Sequence, residues 1–256
     1  MTNKYYNLYL VGGIVRDRLL GVQSKDIDYS FEFTPEFLKM IPRSVGTPTF
    51  FYITMNNMLK AYGFEIFLET IDCFTTRARF PKGHEHEGIT ADFVMCRKET
   101  YEDPESRQPT VSIGTLYDDL LRRDFTVNAI AQDEDGNLID PFGGQEALKN
   151  KVIECPVDAE TSFMDDPLRM LRALRFMVTK DLFPTQDVIT AMERQDIWNK
   201  FDIVVSRERV RDELFKMFYH NPLDTISVLT SYVHPEYLEK MVFKEDIWLK
   251  PTTTKR

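Results

Sequence analysis

The sequence has little cysteine: Cys73, Cys96 and Cys155 are its only three, far apart and without a CxxC pair. That spacing leaves a zinc ribbon or dithiol redox motif without residues to build it, and a sparse, odd count fits a reducing compartment. Long apolar runs are missing too. No stretch approaches the roughly 18 apolar residues that a membrane-spanning helix needs, and residues 1–6 lack the apolar core of a secretory signal. No membrane partner is therefore expected, and the expected location is the cytoplasm. Positive charge is in deficit, with 32 Lys and Arg against 41 Asp and Glu and a formal net charge of −9. This balance weighs only mildly against a nucleic-acid partner. Local distribution matters more than the sum, and carboxylates that hold metal ions inflate the negative count. Repeats and low-complexity segments are absent. His84 and His86 form an HxH pair, but no cysteine or third histidine stands nearby to complete a metal site, and a solvated loop is the plainer reading.

What is present is a globular composition, 43% apolar and 29% charged over 256 residues, enough for one large domain or two smaller ones. Strand-like runs mix with short helical ones up to Gln145, and beyond it the pattern is mostly helical. This predicts an α+β domain over 1–145, an all-helical domain over 146–250 and a disordered tail over 251–256. Residues 8–11 read as a buried strand broken by Gly12 and Gly13. Residues 14–20 have helical spacing with Gly21 as a cap, and 27–33 alternate as a strand. A short helix is expected over 35–41. Phe51, Met55, Met58, Leu59 and Tyr62 form a core-facing helical stripe. Strands are expected over 64–71, 75–80 and 89–96, and a hairpin at Asp135-Gly136 joins 128–132 to 137–140. Further helices are predicted over 167–179, 185–195, 206–219 and 222–232.

Chemistry is first suggested by Gly12-Gly13 followed by Asp26-Ile27-Asp28. Two glycines between a strand and a helix let a phosphate approach the backbone and the helix N-terminus, although a tight turn needs no ligand. Asp26 and Asp28 stand at i and i+2, which places both carboxylates on one face of a strand. Adjacent carboxylates repel unless a cation sits between them. Mg²⁺ suits such a pair because it takes one or two carboxylates plus water and substrate phosphate; an exposed strand face is the alternative. Asp92, on another β-like run, could face the same ions or solvent.

Read in order, these residues resemble the tRNA nucleotidyltransferase and poly(A) polymerase family, the class II CCA-adding enzymes of the DNA polymerase beta superfamily. The run Leu10-Val11-Gly12-Gly13-Ile14-Val15-Arg16-Asp17, with Asp26-x-Asp28 after it, is similar to the family's signature. Residues 121–131, containing Arg122-Arg123-Asp124-Phe125-Thr126 and Asn128-Ala129, are similar to its RRDFTxNA block. Asp140-Pro141-Phe142-Gly143 matches a DPxxG turn, Asp165-Asp166-Pro167-Leu168-Arg169 an ED-x-x-R helix, and Glu208-Arg209 with Glu213 an ERxxxE block. Asp92, Arg97 and Glu99 stand where the family has an acidic residue and Arg-x-Glu. The resemblance covers about 10–220.

It implies a polymerase-beta-like nucleotidyltransferase head, with a mixed or antiparallel sheet and helices, followed by an all-helical neck and truncated body. It implies transfer of nucleotides from CTP and ATP to a tRNA 3′ acceptor end, with Mg²⁺ as cofactor. Asp26 and Asp28 would hold metal, and Asp92 would polarise the attacking hydroxyl. Gly12, Gly13 and Arg16 would hold the triphosphate, while Arg123, Asp124 and Asn128 would grip the incoming nucleotide. Asp165, Asp166 and Arg169 would select the base by imitating a Watson–Crick partner, with Asp165 and Arg169, at i and i+4, on one helix face. As a structural alternative, Asp166 is a good N-cap with Pro167 at N1, and Asp165–Arg169 a plain ion pair. Arg169, Arg172 and Arg175 step along that helix as a basic stripe, either an RNA or nucleotide surface or a solvated face; Arg172 is counted with the nucleotide-binding residues. Arg209 and Glu213 are expected to brace the helical domain.

The pattern departs from the family in three places. Asp165 stands where Glu is usual, which shortens the reach toward a base. Residues 33–63 do not follow the family closely. The part after His220 is short for a body and tail, so a homodimer or a looser grip is expected to replace the usual hold on tRNA. Addition of C only or A only, a poly(A) polymerase, and a non-catalytic nucleotide- or RNA-binding module are the competing readings.

Overall fold

Alternating apolar and polar residues favour extended chain with one face buried. Accordingly, β1 (Tyr6–Val11) and β2 (Ile27–Phe33) pair antiparallel, in register from Tyr6↔Phe33 to Leu10↔Tyr29. The computed structural model describes residues 4–24, 26–100 and 110–244, which fall into two units, 4–100 with 110–145, and 146–244. The tail expected over 251–256 lies outside the described residues.

In the first unit α1 (Gly13–Leu19) links β1 to β2. α2 (Pro35–Met40) and α3 (Pro48–Ala61) follow. Each begins with a threonine cap and a proline. Thr34 Oγ1 accepts from Phe37 N at 3.3 Å and Thr47 Oγ1 from Phe50 N at 3.1 Å, so backbone donors left open at the first turn are satisfied. The chain continues through β3 (Glu65–Thr70), β4 (Thr75–Arg79), β5 (Thr90–Met95), β6 (Arg97–Thr100), β7 (Thr110–Ile113), α4 (Leu116–Leu121), β8 (Ala131–Gln132), β9 (Leu138–Ile139) and α5 (Gly144–Lys149), of which Glu146 onward belongs to the second unit. Seven strands form one sheet in the order β3-β4-β5-β2-β1-β8-β9. It is mixed: β2 and β5 run parallel and their neighbours antiparallel. The helical stripe falls on α3 only in part: Phe51, Met55 and Leu59 are buried, with Tyr52 beside them, whereas Met58 is half-buried and Tyr62, past the end of the helix, is exposed. Phe31 stacks on Tyr6 at 4.5 Å and Phe33 on Phe37 at 5.1 Å. Full burial of each such side chain contributes about 1.5–3 kcal/mol.

The second unit is mostly helical. It holds β10 (Val152–Ile153), α6 (Ala159–Asp165), α7 (Leu168–Lys180), β11 (Phe183–Pro184), α8 (Gln186–Met192), α9 (Gln195–Val204), α10 (Arg207–His220), α11 (Pro222–Tyr232) and α12 (Pro235–Glu239). α7 is central and packs on α6, α10 and α11, with Leu168, Met170, Leu171, Ala173, Leu174 and Phe176 all buried. The helix expected over 185–195 is α8, which stops at Met192, and α9 was not anticipated. Arg194 separates the two with an extended backbone, and its guanidinium is drawn to Glu160 and to Asp196. α6 was not anticipated; Asp158 caps it by accepting from Thr161 N at 2.9 Å. Among the described residues no helix is long and apolar enough to cross a membrane.

Candidate active site

The register of the first unit's sheet lines up three charged side chains. Asp28 of β2 stands opposite Asp92 of β5, and Asp92 opposite Arg77 of β4. Asp26 lies one residue before β2. Asp26, Asp28, Arg77, Thr90 and Asp92 line a cavity of about 290 Å³. Arg77 grips Asp92 as a fork, Nε to Oδ1 and Nη2 to Oδ2, both at 2.6 Å. Asp92 is thus held by a cation, whereas Asp28 sits among carboxylates. Burial raises the Asp28 pKa, and Asp92 and Asp26 raise it further; Arg123 and Arg77 pull the other way. A carboxylate that resists ionisation beside two others is a place where a divalent cation lowers the free energy. Among the described residues no group of three or more His, Cys, Asp or Glu side chains is arranged to hold a metal; Asp26 and Asp28, two carboxylates at one cavity, are the residues that could hold an ion that also takes phosphate and water.

The glycine turn sits beside this row. Gly12 has φ +72°, in the left-handed region where glycine is favoured. A Cβ there would lie 2.9 Å from Arg123 Nη1 and 3.8 Å from Asp28 Oδ2. Gly13 opens α1, and a Cβ on it would meet Arg16 Nη2 at an ordinary 3.5 Å. Arg16 is buried, donates from Nε to Asp17 Oδ1 at 2.9 Å, and donates from Nη1 to Asn128 Oδ1. Asn128 Nδ2 in turn donates to Asp124 Oδ1 at 2.8 Å. Four residues singled out as nucleotide ligands, Arg16, Arg123, Asp124 and Asn128, therefore share one network with the glycine turn, since Arg123 Nη1 also donates to Asn128 O at 3.3 Å.

The second unit changes the expectations for its own candidates. Asp165 ends α6, and Arg169 belongs to α7, so the two are not i and i+4 on one helix. Asp166 adopts an extended backbone between the helices, because Pro167 disfavours a helical residue before it. The Asp166 carboxylate accepts from Leu168 N at 3.3 Å and from Arg209 Nη2 at 2.9 Å. Pro167, not Asp166, takes the cap position of α7. Arg169 is buried and donates to Ser162 Oγ at 2.7 Å. The basic stripe is not a solvated surface: Arg175 donates to Glu213 and lies over the Phe176 ring at 4.4 Å, and Arg172 stands 3.9 Å from Glu213. The bracing by Arg209 and Glu213 runs between helices rather than along α10, with Arg209 reaching Asp166 and the buried Glu213 reaching Arg175 of α7.

Three participants were not foreseen. Arg77 was hidden because exposed arginines on a strand read as solvated. Asp119 had a signal: Leu116 and Leu120 place it on the core side of α4 by helical spacing. Ser30 follows Asp28 by two residues and shares its face. Ser30 Oγ donates to Asp119 Oδ2 at 2.7 Å. Burial of Asp119 acts to raise its pKa, but Arg122 and Arg123 overcome it and hold the carboxyl below the usual range. His84 and His86 pack on Phe80, the former stacked at 4.6 Å, in the loop before β5.

Comparison with known proteins places these features in company. Residues 8–154 match the family model of the poly A polymerase head domain. The CCA-adding enzyme of Geobacillus sp. (strain WCH70) is 36% identical over 174 residues, which is 67% of this chain and 36% of that protein. The crystal structure of the Bacillus stearothermophilus CCA-adding enzyme in complex with CTP superposes with a TM-score of 0.68 at 28% identity, over 94% of this chain and 51% of that one. The Thermotoga maritima CCA-adding enzyme complexed with tRNA gives a TM-score of 0.65 at 27% identity, over 94% of this chain and 49% of that one. The chain spans about a third of the length of the curated relative and half that of the solved structures.

Proposed function

From the premise that the chain belongs to the poly A polymerase head-domain family, the family of the CCA-adding enzymes, we propose that it is a template-independent RNA nucleotidyltransferase that adds or repairs the 3′-CCA end of tRNA from CTP and ATP. The observation that carries this reading is the row Asp28–Asp92–Arg77 beside Asp26 at one cavity, next to the turn at Gly12 and the guanidinium of Arg123. Residues 1–145 act as the nucleotidyltransferase head and 146–250 as a helical neck and body.

In the reaction a bond forms between the RNA 3′-oxygen and the α-phosphorus, the bond from that phosphorus to the β-phosphate bridge breaks, pyrophosphate leaves, and the hydroxyl proton passes to solvent water. Asp26 and Asp28 would hold Mg²⁺, which when bound offsets charge on the attacking and leaving oxygens. Asp92, oriented by the Arg77 fork, directs the hydroxyl. Arg123 and Arg16 supply forked donors to phosphate oxygens, and Gly12 and Gly13 admit the triphosphate to the backbone. Asp124 and Asn128 accept from and donate to the nucleotide. In the second unit Asp165, Asp166, Arg169 and Arg172 provide the donors and acceptors that discriminate cytosine from adenine.

The test uses tRNA transcripts that end before CCA, after C or after CC, with Mg²⁺ and with CTP and ATP separately and together. Stepwise growth to CCA followed by arrest is expected. A run of A residues, growth that stops at CC, or acceptance of ATP alone would contradict full CCA addition.

A further inference from the structure

Asp119 is a carboxylate whose side chain has no exposed surface, on a helix where the adjoining Leu116 and Leu120 already face the core. Packing alone would be served better by an apolar residue, since a charge is costly to bury unless it is paired and hydrogen-bonded. Its two oxygens have separate work. Oδ1 accepts from Arg122 Nε at 3.1 Å and from Arg122 Nη2. Oδ2 accepts from Ser30 Oγ at 2.7 Å and from Arg123 Nη2 at 3.0 Å. Ser30 lies on β2, two residues beyond Asp28, so a single carboxylate oxygen joins the strand bearing Asp28 to the guanidinium of Arg123. Glu32, two residues further on the same face, accepts from Leu116 N at 2.8 Å and pins the start of α4 to β2. The opposite side of that guanidinium faces the Gly12 turn, where even a Cβ would crowd Nη1 at 2.9 Å. Arg123 Nε is buried and makes no hydrogen bond, so the aim of the side chain rests on its two Nη atoms.

We propose that Asp119 is a positioning residue: with Ser30 it fixes the guanidinium of Arg123 against the Gly12 turn, at the height of Asp28, and thereby sets the grip on the incoming triphosphate. This rests on the reading of Arg123 as a triphosphate ligand. Asp119 touches no substrate and acts through Arg123. Its effect therefore appears in triphosphate binding and vanishes when Arg123 is gone, which a general structural role would not do.

The experiment is a double-mutant cycle between Asp119→Asn and Arg123→Ala in the full chain. It is read by equilibrium binding of CTP in the presence of Mg²⁺ and by KM and kcat for incorporation into tRNA, with circular dichroism melts for each variant. Asp119→Asn keeps shape and removes charge; it should weaken CTP binding and raise KM by about tenfold to a hundredfold, the range for losing a charge-assisted hydrogen bond, with kcat changed less. In the Arg123→Ala background the same substitution should change binding by less than about threefold. An equal loss in both backgrounds would overturn the proposal. Should Asp119→Asn fail to fold, Ser30→Ala removes one partner of the same oxygen; it should weaken CTP binding by about threefold to tenfold, again only where Arg123 is present, and no change would overturn the proposal. CTP binding without incorporation by the wild-type chain would contradict the proposed activity while the binding cycle still decides the role of Asp119. No CTP binding by the wild-type chain would overturn both.

Discussion

Asp28 is the point where burial, two neighbouring carboxylates and Arg123 act on one group, and burial with like charge prevails. Replacing it with alanine removes the group proposed to hold the cation while relieving that repulsion. Asp28→Ala should lower nucleotide transfer by at least about a hundredfold, the consequence of losing several kcal/mol of charge stabilisation. Thermal melts should show stability unchanged or raised. Transfer at near wild-type rate would sink the assignment. Asp119 behaves in the opposite sense. Its folded-state pKa lies below the ordinary 3.8, so the unfolded chain binds more protons just below that value. Its contribution to stability is complete above the ordinary pKa and is lost as pH falls through the folded-state value. Acid unfolding followed by circular dichroism should therefore begin at higher pH for wild type than its other carboxylates alone would give, and Asp119→Asn should flatten the pH dependence; an unchanged slope would refute this.

These two residues also mark what a sequence discloses. Asp28 was legible because its spacing from Asp26 and the upstream glycines carry meaning without a fold. Asp119, Ser30 and Arg77 were not, because their roles come from strand pairing and helix docking over separations of 89 residues for Ser30 and Asp119 and 15 for Arg77 and Asp92. Helical spacing put Asp119 on the buried side, yet nothing local named its partners.

At the scale of elements, β2 and α7 organise the two units. The span of β2 was predicted to the residue, since Ile27, Phe31 and Phe33 alternate clearly between turn-forming neighbours. The start of α7 was nearly right, but the chain before it was misread. Treating Asp165 to Arg169 as one helix ignored what a proline imposes on the residue ahead of it, and the bend at Asp166 separates the two. The same bend is what lets Arg209 of α10 reach Asp166 while Glu213 reaches Arg175. Glu213 is buried among three cations, Arg172, Arg175 and Lys216. Glu213→Ala should cost about 3–5 kcal/mol of unfolding free energy in urea titration, as expected when one partner of a buried ionic cluster is removed. A loss below about 1 kcal/mol, the size of an exposed pair, would show that the cluster does not hold α7 to α10.

At the scale of the molecule, the two units divide the labour in the proposed reaction. Phosphate chemistry is proposed for the head, on a sheet whose register sets the carboxylates side by side. Base choice is proposed for the helical unit, on residues that are braced rather than free to swing. Arg169→Ala should therefore reduce the preference for the correct base, read as the ratio of kcat/KM for CTP and ATP on matched tRNA ends, by about 1–3 kcal/mol, or roughly tenfold to a hundredfold, with little effect on triphosphate affinity. An unchanged ratio would move base choice elsewhere in the molecule.

Single-turnover incorporation of one labelled C residue into a tRNA transcript that lacks its 3′ end tests the proposed transfer itself. Wild-type chain and Asp28→Ala would be compared, each with Mg²⁺ and with a chelator in excess. One added nucleotide and released pyrophosphate are expected for wild type with Mg²⁺, and loss of both on chelation and in the variant. Equal incorporation by wild type and Asp28→Ala, or incorporation that survives the chelator, would contradict the proposal.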